Sequence, residues 1–241
     1  MKVIIIGGRG TPTLIAEQMT EAHDEFGMDI EVLGLALDDR SGGDEVNGYP
    51  ILCGIRELHE KYGHFRDVYY VYQLYRADLI HERSELLYSL NFPLEKFCNF
   101  IHPLARVNRR AKMGVGNLIM MNSVIPMNVT LGNFNTMMSS SLGHDSQIGN
   151  NNFFAGRCIM GGCCNIGNEN FIGLGTIIPS EARIGSHNYI GAGCCVTRKL
   201  KDNRMLYHQG TKVHPMTLDE LQVEMFAAKR EAEREYARKY L

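Results

Sequence analysis

His144 and Asp145 stand side by side within Ser141-Leu142-Gly143-His144-Asp145. An imidazole titrates near neutral pH, so it can take a proton from an attacking amine or hydroxyl. A neighbouring carboxylate can hold its tautomer and support the charged form. Successive side chains of a strand point to opposite faces, so Asp145 can serve His144 only from a corner. The plain alternative is an exposed polar pair on a turn, and the two residues alone do not decide.

A second candidate lies near the start. Gly7-Gly8-Arg9-Gly10 separates the β-rich run Lys2–Ile6 from a helix signal at Thr11-Pro12. Backbone amides at a helix N-terminus can hold a phosphate. The motif is not a full Gly-x-Gly-x-x-Gly, since Thr13 stands where the last glycine belongs. A tight turn would explain it equally well. Asp38-Asp39 ends the second apolar run, where a nucleotide-binding sheet places its ribose- or base-binding carboxylate. A solvated turn closed by an Asx bond is the other explanation. Together Gly8, Arg9, Gly10, Thr11, Asp38 and Asp39 point at one crevice and at a nucleotide or nucleotide-linked ligand.

What positions His144 is a repeat. An apolar residue returns at every sixth place through Val107, Met113, Ile119, Ile125, Leu131 and Met137. It returns again from Ile148 through Phe154, Met160, Ile166, Ile172, Ile178, Ile184 and Ile190 to Val196. Leu142 comes five places after Met137 and six before Ile148, so one residue is missing. Glycines and asparagines after the apolar positions suit tight corners that need φ > 0. Hexapeptide repeats build a parallel β-helix, three to a coil of about eighteen residues. The slip beside His144 predicts that its rung is the irregular one. Gly162 is eighteen residues after His144, which predicts that the two are stacked on one edge.

Residues 1–97 alternate strand and helix signals, with helices expected over 11–26, 55–62 and 76–90, and read as a Rossmann-like α/β domain. Residues 98–203 read as a left-handed β-helix. Residues 204–241 read as an irregular stretch to Pro215, then an amphipathic helix opened by the capping box Thr217-Leu218-Asp219-Glu220. The repeat is expected to stop at Val196.

Composition excludes several classes. Lys and Arg number 25 against 27 Asp and Glu, so no charge excess points to nucleic acid. No run reaches the roughly 18 apolar residues of a membrane span. A soluble, cytoplasmic protein is expected. Seven cysteines include no Cys-x-x-Cys. Cys158, Cys164 and Cys194 each follow a repeat apolar by four places, a slot for small inward side chains, so they are expected as core rather than as metal ligands or disulfides. His102 is expected to be structural and His187 to lie on the surface.

These motifs resemble the NeuD/PglD-type sugar acetyltransferases among the hexapeptide-repeat acyltransferases. The resemblance spans about residues 1–212. It rests on Gly7-Gly8-Arg9-Gly10, Asp38-Asp39, Ile101-His102-Pro103, His144-Asp145 before Ile148-Gly149, and Ile190-Gly191-Ala192-Gly193. It implies an acetyl-CoA-dependent N- or O-acetyltransferase of polysaccharide biosynthesis acting on a nucleotide-linked sugar. His144 would be the base and Asp145 its orienting acid. Gly162 would present its N–H to the thioester carbonyl, with Gly162, Gly173 and Gly191 along the acetyl-CoA groove. Gly8, Arg9, Gly10, Thr11, Asp38 and Asp39 would hold the nucleotide sugar. The family forms homotrimers with the cofactor between two rods, and no metal is implied.

Three positions depart from the family pattern. Thr11 stands where members often have a histidine, Phe153 where some carry a second histidine, and Gln73-Leu74-Tyr75 where Gly-Asn is usual. The base is kept while parts of the usual acceptor pocket are not. Two other functions compete. One is a non-catalytic nucleotide-binding scaffold. The other is a γ-type carbonic anhydrase, which needs three histidines on one zinc; His144 and His187 are 43 residues apart and too far separated along the rod to share one.

Overall fold

A computed structural model describes residues 1–196, 199–207 and 212–215, the last by its backbone alone. The expected C-terminal helix lies outside the described residues. Among the described residues no helix is long and apolar enough to cross a membrane.

The chain opens with β1 (Lys2–Ile6), α1 (Thr11–Phe26), β2 (Glu31–Ala36), β3 (Glu45–Val46), β4 (Tyr49–Cys53), α2 (Leu58–Tyr62), β5 (Val68–Tyr72) and α3 (Ile80–Ser89). The sheet order is β3-β4-β2-β1-β5, parallel except for the β3–β4 hairpin. Val3, Ile4, Ile5 and Ile6 are all fully buried, as a continuous apolar run in a parallel sheet covered on both sides should be. Val3 and Ile5 pack with Ile15 and Met19 of α1, and Ile4 and Ile6 with Leu58 of α2 and Leu87 of α3.

Helix α1 covers the expected residues 11–26, with Gly10 as its N-cap at φ 88°, a value glycine adopts without penalty. Helices α2 and α3 begin three and four residues later than expected. The Ile55 amide donates to the Asp38 carboxylate, and Arg76 pairs with Asp78, so the preceding residues are held in turns.

From Phe100 the chain winds into a three-faced prism. Arg106–Val107, Val124–Ile125, Ile159–Met160 and Ile177–Ile178 form its first face, joined by bridges at Ser141 and Cys195. The second face runs from Lys112–Met113 to Lys199–Leu200. The third runs from Phe100–Ile101 to Arg204–Tyr207. Every pairing within the coils is parallel, and the stacked short strands fit a left-handed β-helix. The sixth-place residues, among them Ile119, Ile125, Leu131, Ile172 and Ile190, fill one core. Cys158, Cys164 and Cys194 are buried with them, and burial raises each thiol.

The slip is not at the rung that presents His144. Thr136 pairs with Leu118, a step of eighteen, whereas Ser141 pairs with Val124, a step of seventeen. The missing residue therefore belongs to the corner around Ser139, before the first face. The His144 corner is an ordinary one: Asp145 has φ 54°, like Asn128 at 61°, Cys163 at 60° and Glu181 at 63°.

The rod also continues past Val196. Leu200 and Leu206 are inward and 5% and 1% exposed. Leu200 follows Val196 by only four places, and this shortened corner hides the last coil from a six-residue count. The stretch expected to be irregular forms a hairpin instead, with Lys212–Pro215 antiparallel to Arg204–Tyr207. Many asparagines serve hydrogen bonding rather than positive φ. Asn117, Asn135, Asn152, Asn170 and Asn188 form a buried ladder in which each side-chain amide from Asn135 onward donates to the Oδ1 of the one before. Such buried amides persist only when partnered.

The sheet domain covers the third face. Tyr75 stacks on Phe153 with ring centroids 4.1 Å apart, and Phe153, Phe171 and Tyr189 continue the column at 5.9 and 5.0 Å. The Thr136 hydroxyl donates to Gln73 at 3.0 Å, and the Met121 amide donates to Gln18 of α1.

Candidate functional site

His144 sits on the edge between the first and second faces. Its Nδ1 is 2.7 Å from Oδ2 of Asp145, so Nδ1 carries the shared proton when Asp145 is ionised and Nε2 is left to act. Asp145 reaches back from its αL corner, as the sequence required. Its other oxygen accepts from Asn128 at 2.8 Å, one coil earlier. The Asn128 bond and then the His144 bond hold the Asp145 carboxyl below its ordinary range.

Gly162 is the stacked neighbour of His144. The Cys163 amide donates to the His144 carbonyl at 2.8 Å, and a Cβ on Gly162 would stand 2.8 Å from Cε1 and Nε2 of the imidazole. The ring thus occupies space that only glycine leaves open. The amides of Met127, His144, Gly162 and Ser180 donate to no protein group among the described residues. At the corresponding places of the next edge, Asn133, Asn150 and Asn168 donate to Asn150, Asn168 and Ser186 side chains, and Ser186 donates to Asp202. One edge is zipped by side chains; on the other, these N–H groups have no protein acceptor among the described residues. Gly173 and Gly191 lie one coil apart on the third edge, across the first face from Gly162. A single chain does not bring the three glycines together.

The second site is a cavity of about 660 Å³ at the carboxyl ends of β1, β2 and β5. Strand β1 lies between β2 and β5, so this is the point where the strand order reverses and where open α/β sheets bind ligands. Gly8, Arg9, Gly10, Thr11, Asp39 and the segment Gln73 to Arg76 line it. The Arg9 guanidinium crosses over Gly42, where a Cβ would collide with it. Asp39 accepts the Ser41 amide at 2.9 Å, and that bond lowers its pKa. Asp38 is not in the wall; its carboxylate accepts the Ile55 amide at 2.8 Å. The Gln73 Nε2 and Tyr75 hydroxyl, at the base of the crevice, are buried without a partner among the described residues.

The cavity and the His144 imidazole are on opposite sides of the rod. The sheet domain covers the third face, and His144 stands on the edge opposite that face. Between its edges the first face is bare and apolar: Val124, Ile159 and Ile177 are 37%, 59% and 52% exposed.

A third cluster was not anticipated. His187 is half-buried, not free on the surface. Its Nδ1 is 3.0 Å from Oε2 of Glu169, and His81 of α3 brings its own Nδ1 to 2.7 Å from the same oxygen. Glu169 and His187 are eighteen residues apart, a stacking relation legible in the sequence; His81 comes from the other domain and carries no such signal. His144 and His187 occupy different edges. His102 is fully buried, and burial lowers its pKa.

No protein-family model matches the chain, and no curated protein does. Solved structures do match in fold. The acetyltransferase domain of PglB from Neisseria gonorrhoeae, in complex with acetyl coenzyme A, aligns with TM-score 0.74 and 21% identity over 89% of this chain and 98% of that one. PerB from Caulobacter crescentus, in complex with CoA and GDP-perosamine, aligns with TM-score 0.71 and 22% identity over 89% and 97%. WeeI from Acinetobacter baumannii aligns with TM-score 0.68 and 18% identity over 89% and 100%.

Proposed function

We propose that the chain is an acetyl-CoA-dependent acyltransferase acting on an amino or hydroxyl group of a nucleotide-linked sugar. The observation that carries the reading is the His144 imidazole, bonded to Asp145 and laid over Gly162 on an edge with free amides. Nε2 of His144 takes the proton as the acceptor nitrogen or oxygen attacks the thioester carbonyl carbon. The Gly162 N–H donates to the developing oxyanion. Collapse breaks the C–S bond, and the thiolate leaves as CoA, taking up the proton from His144. Likeness to folds solved with acetyl-CoA, CoA and GDP-perosamine supports this assignment.

Residues 1–97 would be the nucleotide-sugar-binding, Rossmann-like domain and residues 98–203 the acyltransferase rod, which in the structure continues through Arg204–Tyr207. Gly8, Arg9, Gly10 and Thr11 would hold the diphosphate with Asp39 beside it, and Asp38 would act by fixing the wall. The separation of crevice from base within one chain supports a homotrimer. The bare first face would contact a neighbouring rod, bring Gly162 of one chain towards Gly173 and Gly191 of the next for acetyl-CoA, and place His144 near a neighbour's crevice.

Free-thiol release from acetyl-CoA across a panel of nucleotide-linked amino sugars tests the reading, with His144→Ala as control. Acceptor-dependent release that vanishes in the variant is the expected result. Tight nucleotide binding with no release for any acceptor would favour a scaffold, and a monomer by light scattering would overturn the shared site.

A further inference from the structure

We infer that His81, Glu169 and His187 form a binding site for a divalent transition metal of the zinc class, clamping helix α3 to the rod. Nδ1 of His81 and Nδ1 of His187 approach the same Oε2 of Glu169 at 2.7 and 3.0 Å, and one donor atom from each residue lies within 4.8 Å of the others. Two imidazoles and a carboxylate are a donor set that zinc takes, with a fourth position left for water. At zinc bond lengths of about 2.0–2.2 Å, tetrahedral donors stand roughly 3.3 Å apart. The two N···O separations, 2.7 and 3.0 Å, need open by only about 0.6 and 0.3 Å to admit the ion.

The supports are rigid. Glu169 and His187 occupy αL corners at φ 56° and 59°, and their amides donate to Asn150 and Asn168 carbonyls at 2.8 and 2.9 Å. The imidazole rings stand at 89° with centroids 5.1 Å apart, so neither blocks the other's approach. Metal-bound histidines usually turn their second nitrogen to a carboxylate. Nε2 of His81 faces Glu85 at 3.5 Å, one helical turn on. Side-chain exposures of 36%, 12% and 36% leave a path for the ion from solvent. The site stands on the asparagine edge, away from His144, so its role is to fix the sheet domain against the coils.

The test is metal titration of the full chain. One equivalent of Co²⁺ should give the visible d–d bands of a tetrahedral site, and one equivalent of Zn²⁺ should displace them and raise the unfolding midpoint by about 5 °C. His187→Asn, which keeps a residue tolerant of φ > 0, and His81→Ala, which suits a helix, should each abolish both effects. His144→Ala should leave both intact. Sulfur-to-cobalt charge-transfer bands lost in His144→Ala would place the ion instead on the exposed cluster of His144, Asp145 and Cys163 and overturn the inference. So would absence of bands and of any midpoint shift, which would leave the three residues as a hydrogen-bonded clamp.

Discussion

The His144 imidazole lies directly over Gly162, and no side chain can be added to that glycine without moving the ring: a Cβ would stand 2.8 Å from Nε2. The imidazole and the Gly162 N–H, base and oxyanion donor of the proposed reaction, are thus fixed to one another by a single coil of the rod. Gly162→Ala keeps the backbone N–H but displaces the base. We expect kcat for thiol release to fall about 10- to 100-fold, as sub-ångström to one-ångström misplacement does, with CoA affinity nearly unchanged. Stopped-flow turnover with equilibrium CoA binding checks it, and wild-type kcat in this variant would refute the stacked arrangement.

Arg9 is the cation nearest the glycine turn of the crevice. Arg9→Gln should weaken binding of a nucleoside diphosphate by about 10- to 100-fold, the cost of one to two charge-assisted hydrogen bonds. The difference should shrink as salt is raised. Calorimetric titration at two ionic strengths measures both, and equal affinities would remove Arg9 from the site.

Tyr75 and Phe153 meet as one stacked pair between the sheet domain and the rod. A double-mutant cycle with Tyr75→Leu and Phe153→Leu should show coupling of about 0.5–1.5 kcal/mol in denaturant unfolding. Strictly additive losses would mean that the sheet domain is held to the rod by other contacts.

His102 is buried, its Nδ1 accepts the Leu104 amide, and Glu21 is 3.9 Å from Nε2. Burial lowers its pKa in the folded chain, with Glu21 and Glu25 opposing. The unfolded imidazole titrates near 6.5. Above that pH neither state carries the proton and the stability is fully present. As pH falls below it, the unfolded state binds the proton first and stability declines, by at most about 1.4 kcal/mol per pH unit. Comparing urea midpoints near pH 7.5 and 5.5, the drop should be smaller in His102→Gln than in the wild type. Equal drops would assign the acid sensitivity to other groups.

Much of the architecture was legible because it is periodic. Inward positions from Ile119 to Val196 follow from counting, and so does the stacking of His144 on Gly162. The count failed where the period changes: Leu200 and Leu206 were hidden by a four-residue corner, and the slip was assigned to the His144 rung when it belongs to Ser139. Side-chain hydrogen bonding also escaped it. The corner asparagines were ascribed to backbone conformation, whereas Asn152, Asn170 and Asn188 stay buried because each completes the next one's bonds. Contacts between residues distant in sequence had no such signal, so the approach of His81 to Glu169 across the two domains and the turning of Asp38 towards Ile55 within the sheet domain could be seen only in three dimensions.

The hairpin that ends the third face has a bearing on solubility. A stack of parallel coils with bare ends would be a template for its own polymerisation, because each terminal coil offers unpaired amides and carbonyls to the next molecule. Here the third face ends with Lys212–Pro215 reversing direction against Arg204–Tyr207. On that face an incoming rod would meet a strand running the wrong way for a further parallel coil, which disfavours end-to-end pairing there.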